Sequence, residues 1–386
     1  MDVKQIYEYV NGATERALGK TDLVVAEDLS NIVEVGEALY NANAVDNYVK
    51  ALVDRIGRTV FVDRVYKGSA PSILMTNVEY GSVTQKIQAE MPEAVETEDW
   101  ELQDGTSYDP NVFHGNVVSV KYFNGKKTFE IDLSITDMQV KESFLNAEAV
   151  DRFIGMIKNE VSKSMTVKTE QLIRATMNNF IGETLYKEYP TGQYSATSGI
   201  RAVNLLKLYT TETGDSSVTA DNYLTKPEFI RYATSIITEY IDKLSTMSVL
   251  FNMGGKARFT PSEYLHIVML SKFKRRAEVY LQSDTYHNEM VKLPKAESVA
   301  YWQGTGTDYS LDNISKINIK TSENHDVECG NILAVMFDHD GLGVRNQEPR
   351  IRSNYNGKAE FTNFFHKWDA DYFNDFDENF VVFFVA

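Results

Sequence analysis

Residues 146–186 read NAEAVDRFIGMIKNEVSKSMTVKTEQLIRATMNNFIGETLY, and this stretch decides the fold. Its apolar side chains recur every three or four residues, which is the spacing of one helix face, and no proline interrupts them. Asn146 supplies an N-cap, and Glu148 places a favourable charge near the start of the helix dipole. At about 1.5 Å per residue the helix would be roughly 60 Å long. The sequence therefore predicts a spine whose flanks are packed by separate layers or by neighbouring molecules.

Composition limits the class of protein. The chain has 386 residues, of which 43% are hydrophobic and 24% charged, as is ordinary for a globular protein of two or three domains. A net charge of −16 argues against a surface that holds nucleic acid by neutralising phosphates. The single cysteine, Cys329, excludes an internal disulfide framework or a site of several thiolates, and we expect it in the core. With neither a signal-peptide pattern nor a membrane-length apolar run, we expect a soluble protein that contacts no membrane.

The chain before the spine combines helical and extended segments. Asp2–Leu18 and Ile32–Ile56 have helical spacing, whereas periodicity drops between Tyr66 and Leu133. Val117–Phe123 and a second strand at Thr128–Leu133 flank the dipeptide Asn124-Gly125. Because both residues of that dipeptide tolerate the positive φ of a type I′ turn, the pattern predicts a β-hairpin.

An acidic loop precedes that predicted hairpin. No lysine or arginine occurs between Lys86 and Lys121. The acidic residues there are Glu90, Glu93, Glu96, Glu98, Asp99, Glu101, Asp104 and Asp109. Like charges this dense repel one another. Two interpretations remain open, namely a solvated loop and an arm that lies on a basic surface of a partner.

The chain after the spine predicts a second domain and a buried C-terminus. Thr225-Lys226-Pro227-Glu228 is a capping box that opens a helix, Thr246–Asn252 is typical of a strand, and His266–Leu270 fits either a strand or a helical turn. The one dense basic cluster consists of Lys272, Lys274, Arg275 and Arg276. Phe380–Ala386 is apolar to the last residue, so it is predicted to be an internal strand of a sheet.

A search for chemistry assigns no catalytic, cofactor-binding or metal-binding residue. Gly254-Gly255-Lys256 lacks the spacing of a phosphate loop and predicts a turn. Asp338-His339-Asp340 could ligate a metal, but its place between an apolar strand and Gly341 favours a polar turn. The six histidines are scattered singly. A nucleophile and its base assembled from distant positions stay an open alternative.

The order of these elements resembles the major capsid proteins of tailed phages with the Hong Kong 97-type fold, and most of all those of phi-29-like short-tailed phages. The segments that carry the resemblance are Asn47 to Gly57 (NYVKALVDRIG), Gln139 to Phe144 (QVKESF), Met336 to Asp338 (MFD), Asn354 to Asn356 (NYN) and Phe365 to Trp368 (FHKW). The likeness covers almost the whole chain, and the set and order of the segments carry it.

The resemblance implies an α+β fold with an N-terminal arm, an extended loop, a peripheral domain and an axial domain. The implied boundaries are 1–45 for the arm, 46–65, 134–189 and 342–386 for the peripheral domain with its spine helix at 146–186, 66–133 for the extended loop, and 190–341 for the axial domain. An immunoglobulin-like domain after the last strand, and a built-in scaffolding domain before residue 43, are not expected.

The resemblance also implies a function. Copies would assemble as pentamers and hexamers into the icosahedral or prolate head shell that encloses the double-stranded DNA genome of a tailed bacteriophage. Assembly would take place in the host bacterial cytoplasm with a separate scaffolding protein and a portal, and the DNA would be enclosed without sequence-specific binding. No enzyme activity or cofactor is expected. The alternatives are an encapsulin-like nanocompartment shell, which would enclose enzymes, and, less favoured, a hydrolase or nucleic-acid enzyme.

We expect the acidic loop to contact basic residues of a neighbouring subunit. The candidate acidic contacts are Glu90, Glu93, Glu96, Glu98 and Glu101, and the candidate basic contacts are Lys272, Lys274, Arg275, Arg276, Arg350 and Arg352. One exposed pair would contribute only about 0.2 to 1 kcal/mol, but a shell repeats the pair many times.

Overall fold

The computed structural model of the chain describes residues 11, 13–14, 71–75, 83–92, 94, 96, 100–107, 109–111, 113–138, 147–282, 296–302 and 316–386, and for 147–160 and 281–282 the backbone only. Residues 11, 13 and 14 are helical. The helices predicted at Asp2–Leu18 and Ile32–Ile56 otherwise lie outside the described residues. Helices and strands are numbered below in the order in which the described chain forms them.

The spine prediction is confirmed by helix α1, Ala147–Glu188. Its 42 residues span about 63 Å at the usual helical rise. The C-terminal half is buried on its apolar stripe, where Phe180, Ile181 and Leu185 have no solvent exposure. The ring of Phe180 stacks on Phe380 with centroids 3.9 Å apart and planes inclined by 15°. The spine is thus fixed to the C-terminal strand of the chain by aromatic packing.

A five-stranded sheet packs beside that half of the spine. Its strands, in spatial order, are β4 (Ala202–Asn204), β13 (Phe380–Phe384), β9 (Ile332–Asp338), β5 (Leu265–Leu270) and β6 (Glu297–Val299). β13 is parallel to β4 and antiparallel to β9, and all five of its residues are buried. The prediction of an internal C-terminal strand is therefore confirmed, and the segment at 266–270 is a strand.

Three helices complete the layer around this sheet. They are α2 (Leu205–Thr213), α3 (Pro227–Ser245) and α4 (Ser271–Gln282), with a 3₁₀ turn at Tyr223–Thr225. The Asn204 side chain caps α2 by accepting from the Lys207 amide, and Gly214, at φ 71°, ends that helix.

Two local predictions in this region are wrong. The N-cap residue of α3 is Lys226, without a side-chain cap, because Thr225 belongs to the 3₁₀ turn and its hydroxyl donates to the Asn222 carbonyl. The strand predicted at Thr246–Asn252 is a series of turns with one isolated bridge, between Ser248 and Arg258. In the described part of the chain, this segment pairs with no strand beyond that bridge.

A second sheet is built around β12 (Phe361–Asn374). On one side β12 pairs with β3 (Lys126–Thr136), and on the other with β11 (Arg350–Asn356) and β10 (Leu342–Asn346), all antiparallel. Trp368 of β12 is buried against Val161 and Met165 of the spine. The spine therefore supports both sheets.

Two further antiparallel pairs lie apart from these sheets. β7 (Lys316–Lys320) pairs with β8 (Asp326–Gly330), and β1 (Thr84–Ala89) pairs with β2 (Val118–Phe123). The β1–β2 pair is called the ribbon from here on. Among the described residues, no helix is long and apolar enough to span a lipid bilayer.

The hairpin predicted at Asn124-Gly125 is wrong. β2 and β3 flank this dipeptide but pair with β1 and β12 instead of with each other. Neither residue has the positive φ of a type I′ turn. The reason is that β12 offers β3 eleven paired positions, so the dipeptide carries the chain from the ribbon into a different sheet.

Candidate functional site

The ribbon is the base of a long loop that extends from the spine and the two larger sheets, which we call the body of the protein. Six residue pairs join its strands, from Thr84–Phe123 to Ala89–Val118. The Glu90 amide adds one more hydrogen bond, 2.8 Å from the Val117 carbonyl oxygen. The chain between Glu90 and Val117 forms the tip of this loop, of which the structure describes part.

The ribbon has its polar face toward the body and its apolar face outward, which is the reverse of an ordinary surface hairpin. Alternate side chains point to opposite faces of a strand. Lys86, Gln88 and Lys121 lie on the face toward the body, whereas Ile87 and Tyr122 lie on the outer face with 63% and 67% of their surface exposed. The outer face also carries Gln85, Ala89, Val118 and Val120. A largely apolar face is thus presented to the surroundings.

The tip continues this apolar exposure and adds negative charge. Trp100, Leu102 and Phe113 are exposed by 77%, 79% and 90%. The described acidic residues around them, all exposed, are Glu90, Glu96, Glu101, Asp104 and Asp109. Large apolar side chains rimmed by charges are typical of a protein–protein contact surface.

The inner face of the ribbon rests on an ion cluster. Lys86 Nζ lies 2.8 Å from Asp375 Oδ2 and 2.6 Å from Glu378 Oε1. Lys121 Nζ lies 2.7 Å from Asp375 Oδ1 and 2.5 Å from Asp377 Oδ2. The three carboxylates belong to the turn that joins β12 to β13. We call these five residues the ionic seat.

The pKa values of the ionic seat follow from this geometry. Burial alone would raise the pKa of Asp375, but hydrogen bonds from Lys121 and Lys86 outweigh it and hold that pKa below its ordinary value. Burial alone would lower the pKa of Lys121, whereas hydrogen bonds to Asp375 and Asp377 raise it. Each charge in this pair therefore stabilises the other at neutral pH.

A segment before β5 extends the charged contacts. Arg258 donates to Gln88 Oε1 at 2.5 Å, and its Nε lies 3.6 Å from Glu378. Lys256 Nζ lies 2.9 Å from Glu90 Oε1. A cleft of about 350 Å³ opens between this segment and the ribbon, and is lined by Gln88, Ala89, Arg258, Phe259, Pro261, Tyr264, Asp338, Asp340 and Glu378.

The structure places the described members of the two sets, which the sequence analysis predicts to meet in neighbouring subunits, on different elements of the chain. Glu96 and Glu101 are exposed on the tip, and Glu90 pairs with Lys256 of its own chain. Glu93 and Glu98 lie outside the described residues. Lys272, Arg275 and Arg276 are exposed on α4.

The other predicted basic residues differ in their contacts. Lys274 donates to the Ala296 carbonyl at 2.7 Å, and Arg350 lies 3.0 Å from Asp369. Arg352 is exposed on β11. Among the ion pairs in the described part of the chain, none joins the acidic set to the basic set.

Sequence reasoning missed the ionic seat. Lys86 and Lys121 are the basic residues at the two ends of the acidic loop, and Asp375, Asp377 and Glu378 interrupt the aromatic C-terminal run. The available signal was the alternation of polar and apolar residues in both ribbon strands. That signal does not tell which face points inward, because the partner of the polar face lies about 250 residues further along the chain.

The polar turns predicted from sequence are confirmed. Asp338 ends β9, and its carboxylate accepts hydrogen bonds from the Thr260 hydroxyl and the Asp340 amide at 2.7 and 2.9 Å. Gly255 lies in a turn at φ 63°. Cys329 is a buried core residue as predicted, and burial raises the pKa of its thiol to about 12.

The histidines that we interpreted as scattered include one pair. His266 Nε2 and His339 Nδ1 lie 3.1 Å apart. Even so, among the described residues no group of three or more His, Cys, Asp or Glu side chains could hold a metal ion.

Comparison with known proteins identifies the family. A family model for the Phi29-like phage major capsid protein matches residues 10–384. The major capsid protein of Bacillus phage GA-1 is 23% identical over 382 residues, which cover 96% of this chain and 67% of that protein.

Solved structures confirm the fold. A chain in the capsid structure of Staphylococcus phage Andhra is similar with a TM-score of 0.54 and 11% identity, over 84% of this chain and 86% of that one. This likeness confirms the predicted α+β fold of tailed-phage capsid proteins. The family model and the GA-1 relative do not favour the encapsulin alternative. The chain belongs to the Phi29-like family of phage major capsid proteins and is a structural component of the virion capsid.

Proposed function

We propose that copies of this chain assemble as pentamers and hexamers into a closed icosahedral or prolate head shell, in which the ribbon and tip of each subunit lie on a neighbouring subunit. The shell encloses the double-stranded DNA genome of a tailed bacteriophage without sequence-specific binding. Assembly takes place in the host bacterial cytoplasm with a separate scaffolding protein and a portal. The observation that carries the proposal is the outward apolar face of the ribbon.

The exposed apolar side chains favour association strongly. Burying a large apolar side chain contributes about 1.5 to 3 kcal/mol, and Ile87, Tyr122, Trp100, Leu102 and Phe113 are all more than 60% exposed. The inner face of the ribbon is occupied by the ionic seat, so the apolar face cannot turn inward onto its own subunit. A neighbouring copy is the partner that a capsid protein meets at high local concentration.

Charge supports the same arrangement. The tip carries Glu96 and Glu101, and α4 carries Lys272, Arg275 and Arg276, all exposed. We retain the proposal that the acidic set Glu90, Glu93, Glu96, Glu98 and Glu101 faces the basic set Lys272, Lys274, Arg275, Arg276, Arg350 and Arg352 of a neighbour. Since Glu90, Lys274 and Arg350 already have partners within the chain, Glu96, Glu101, Lys272, Arg275 and Arg276 would contribute more.

The domain boundaries remain part of the proposal. Residues 1–45 form the arm, 66–133 the extended loop, 190–341 the axial domain, and 46–65, 134–189 and 342–386 the peripheral domain. The second sheet supports the division in part, since β10, β11, β12 and the last three residues of β3 belong to the peripheral domain as drawn. Residues 126–133 of β3 fall in the extended loop, and β13 of the peripheral domain joins the sheet of the axial domain. The protein acts as a building block without enzymatic activity or a cofactor, as its family suggests.

The test is the mass and shape of the purified chain, measured by light scattering and negative-stain microscopy with and without a candidate scaffolding protein. Hollow shells, tubes or rings of five and six subunits are the expected products. A monomer of about 43.8 kDa that stays a monomer in both conditions would overturn the proposal.

A further inference from the structure

Two lysines of the ribbon face each other across its strands. The register pairs Lys86 directly with Lys121. Side chains in such a pair have Cβ atoms about 4.5 to 5.5 Å apart, and like charges there destabilise the pairing of the strands. The ribbon therefore contains a repulsive contact at its centre.

Asp375 removes that repulsion by bridging the two lysines. One carboxylate oxygen, Oδ2, lies 2.8 Å from Lys86 Nζ, and the other, Oδ1, lies 2.7 Å from Lys121 Nζ. The Asp375 side chain is completely buried, whereas those of Lys86 and Lys121 are 16% and 34% exposed. The counter-ion of the ribbon thus belongs to the body of the protein.

The other attachments of the ribbon's inner face to the body are also mostly polar. Gln88 donates to Glu378 at 2.6 Å, and Lys86 donates to the Asp340 carbonyl at 3.2 Å. An aromatic contact, Phe123 with Phe373 at 5.0 Å between centroids, lies at one end. The position of the ribbon therefore depends chiefly on charge.

We infer that the ionic seat is a charge-operated latch, in which Asp375 both holds the ribbon on the body and permits its two strands to pair. Loss of the Asp375 charge removes the one carboxylate that bridges both lysines and sets Lys86 against Lys121, so that Glu378 and Asp377 hold the two strands only separately. The ribbon then loosens while the sheets beneath it stay intact. The consequence for assembly rests on the proposed function, because a loosened ribbon no longer presents its apolar face to a neighbour in one orientation.

The charged groups around the latch come from several segments of the chain, and those in direct contact balance one another. Lys86 and Glu90 come from β1 and the residue after it, Lys121 from β2, and Lys256 and Arg258 from the segment before β5. Asp375, Asp377 and Glu378 come from the β12–β13 turn, and Asp338 and Asp340 line the adjoining cleft. Within the contacts themselves, Lys86, Lys121 and Arg258 balance Asp375, Asp377 and Glu378.

The test compares hydrogen–deuterium exchange in the unassembled full chain and in the isosteric variant Asp375→Asn. Backbone amides of Thr84–Ala89 and Val118–Phe123 are expected to exchange at least about tenfold faster in the variant, since local opening controls exchange. Amides of β9 and β13 should not change. Glu130→Gln, which removes the Glu130–Lys367 pair at 3.0 Å from the second sheet, is the matched control and should leave the ribbon unaffected.

The direction in which salt changes the exchange rate of the ribbon is the decisive observation. Raising the ionic strength from about 0.05 M to about 1 M shortens the Debye length to about 3 Å. The higher ionic strength should slow ribbon exchange in Asp375→Asn, because it screens the repulsion between Lys86 and Lys121. It should not slow ribbon exchange in the natural chain. The double variant Asp375→Asn with Lys86→Met should recover part of the protection. Ribbon exchange that is unchanged in Asp375→Asn, or accelerated by salt in both proteins, would overturn the latch.

Two further outcomes separate the latch from the shell. If Asp375→Asn does not fold, the double variant, in which Lys121 no longer faces a second lysine, provides the comparison. Ribbon protection in it as high as in the natural chain would contradict a holding role for Asp375. If the natural chain shows the latch but never assembles, the proposed function fails and the latch stands. Normal assembly of a variant with a released ribbon would overturn the link between the two.

Discussion

Gly125 lies against the backbone of Tyr372 at the point where the chain leaves the ribbon and enters the second sheet. The Tyr372 amide donates to the Gly125 carbonyl at 3.0 Å, and a Cβ atom at Gly125 would lie 2.5 Å from the Tyr372 carbonyl oxygen. Since backbone cannot move aside as a flexible side chain can, this position requires glycine. The close approach fixes where the ribbon begins relative to β12.

Gly125→Ala should therefore destabilise the protein by about 1 to 3 kcal/mol, the usual cost of overpacking. The measurement is urea unfolding of the unassembled chain, followed by fluorescence. Gly330→Ala is the matched control, because a Cβ there would meet only Lys316 Cγ, at 4.0 Å. Equal stability of the two variants would mean that the Gly125 contact relaxes without cost.

Replacing the outer face of the ribbon should abolish assembly but not folding. In Ile87→Ser with Tyr122→Ser, two side chains that are 63% and 67% exposed lose their apolar surface. The loss removes about 3 kcal/mol or more from each contact with a neighbour, so shells should fail to form in sedimentation and microscopy. The control is Val249→Ser in the segment after α3, which replaces a valine that is 51% exposed and belongs to neither proposed contact set. Shells of ordinary yield from the ribbon variant would refute the role of this face.

Reversing charge on the tip should weaken assembly in a salt-dependent way. Glu96, Glu98 and Glu101 changed to lysine would repel the basic set on a neighbour, while the circular dichroism spectrum of the subunit stays unchanged. The control carries the same charge change at Asp221, Glu263 and Asp326, which are exposed elsewhere. Partial recovery of the tip variant at high salt is expected, because exposed charges are screened. Normal shells at low salt would exclude the charged contact.

The second sheet should lose stability in acid through Asp369. Lys126 and Arg350 lie 3.1 and 3.0 Å from this buried carboxylate, and Thr128 donates to it at 2.6 Å. Burial alone would raise the pKa of Asp369, but the hydrogen bonds from Thr128 and Lys126 and the charge of Arg350 hold it below its ordinary 3.8. A lowered folded-state pKa gives stability that is present above the unfolded pKa and is lost as pH falls through the folded value.

Asp369→Asn should accordingly be less stable than the natural chain at pH 7, and the difference should shrink below pH 3.8. Denaturant unfolding at a series of pH values measures it. Asp132→Asn, an exposed position on the neighbouring strand β3, should change stability by less than about 0.5 kcal/mol at any pH. A difference for Asp369→Asn that is constant with pH would show that its charge is not what stabilises the sheet.

The sequence by itself determined the features that depend on residue type and on the spacing of nearby residues. The unbroken apolar spacing of residues 146–186 gives the spine, because a helix is stabilised by contacts three and four residues apart. The apolar run at Phe380–Phe384 gives a buried strand, since it has no polar side to expose. The exposed acidic tip and the buried Cys329 follow from residue type alone.

Only the tertiary structure decided how strands choose partners. Asn124-Gly125 favours a local hairpin, yet β3 gains eleven paired positions with β12, which lies more than 200 residues away in sequence. The same long-range choice brings Asp375 to Lys86 and Lys121 and so turns the apolar face of the ribbon outward. A periodicity of two tells that the faces of a strand differ, but which face points inward depends on what the rest of the chain offers it.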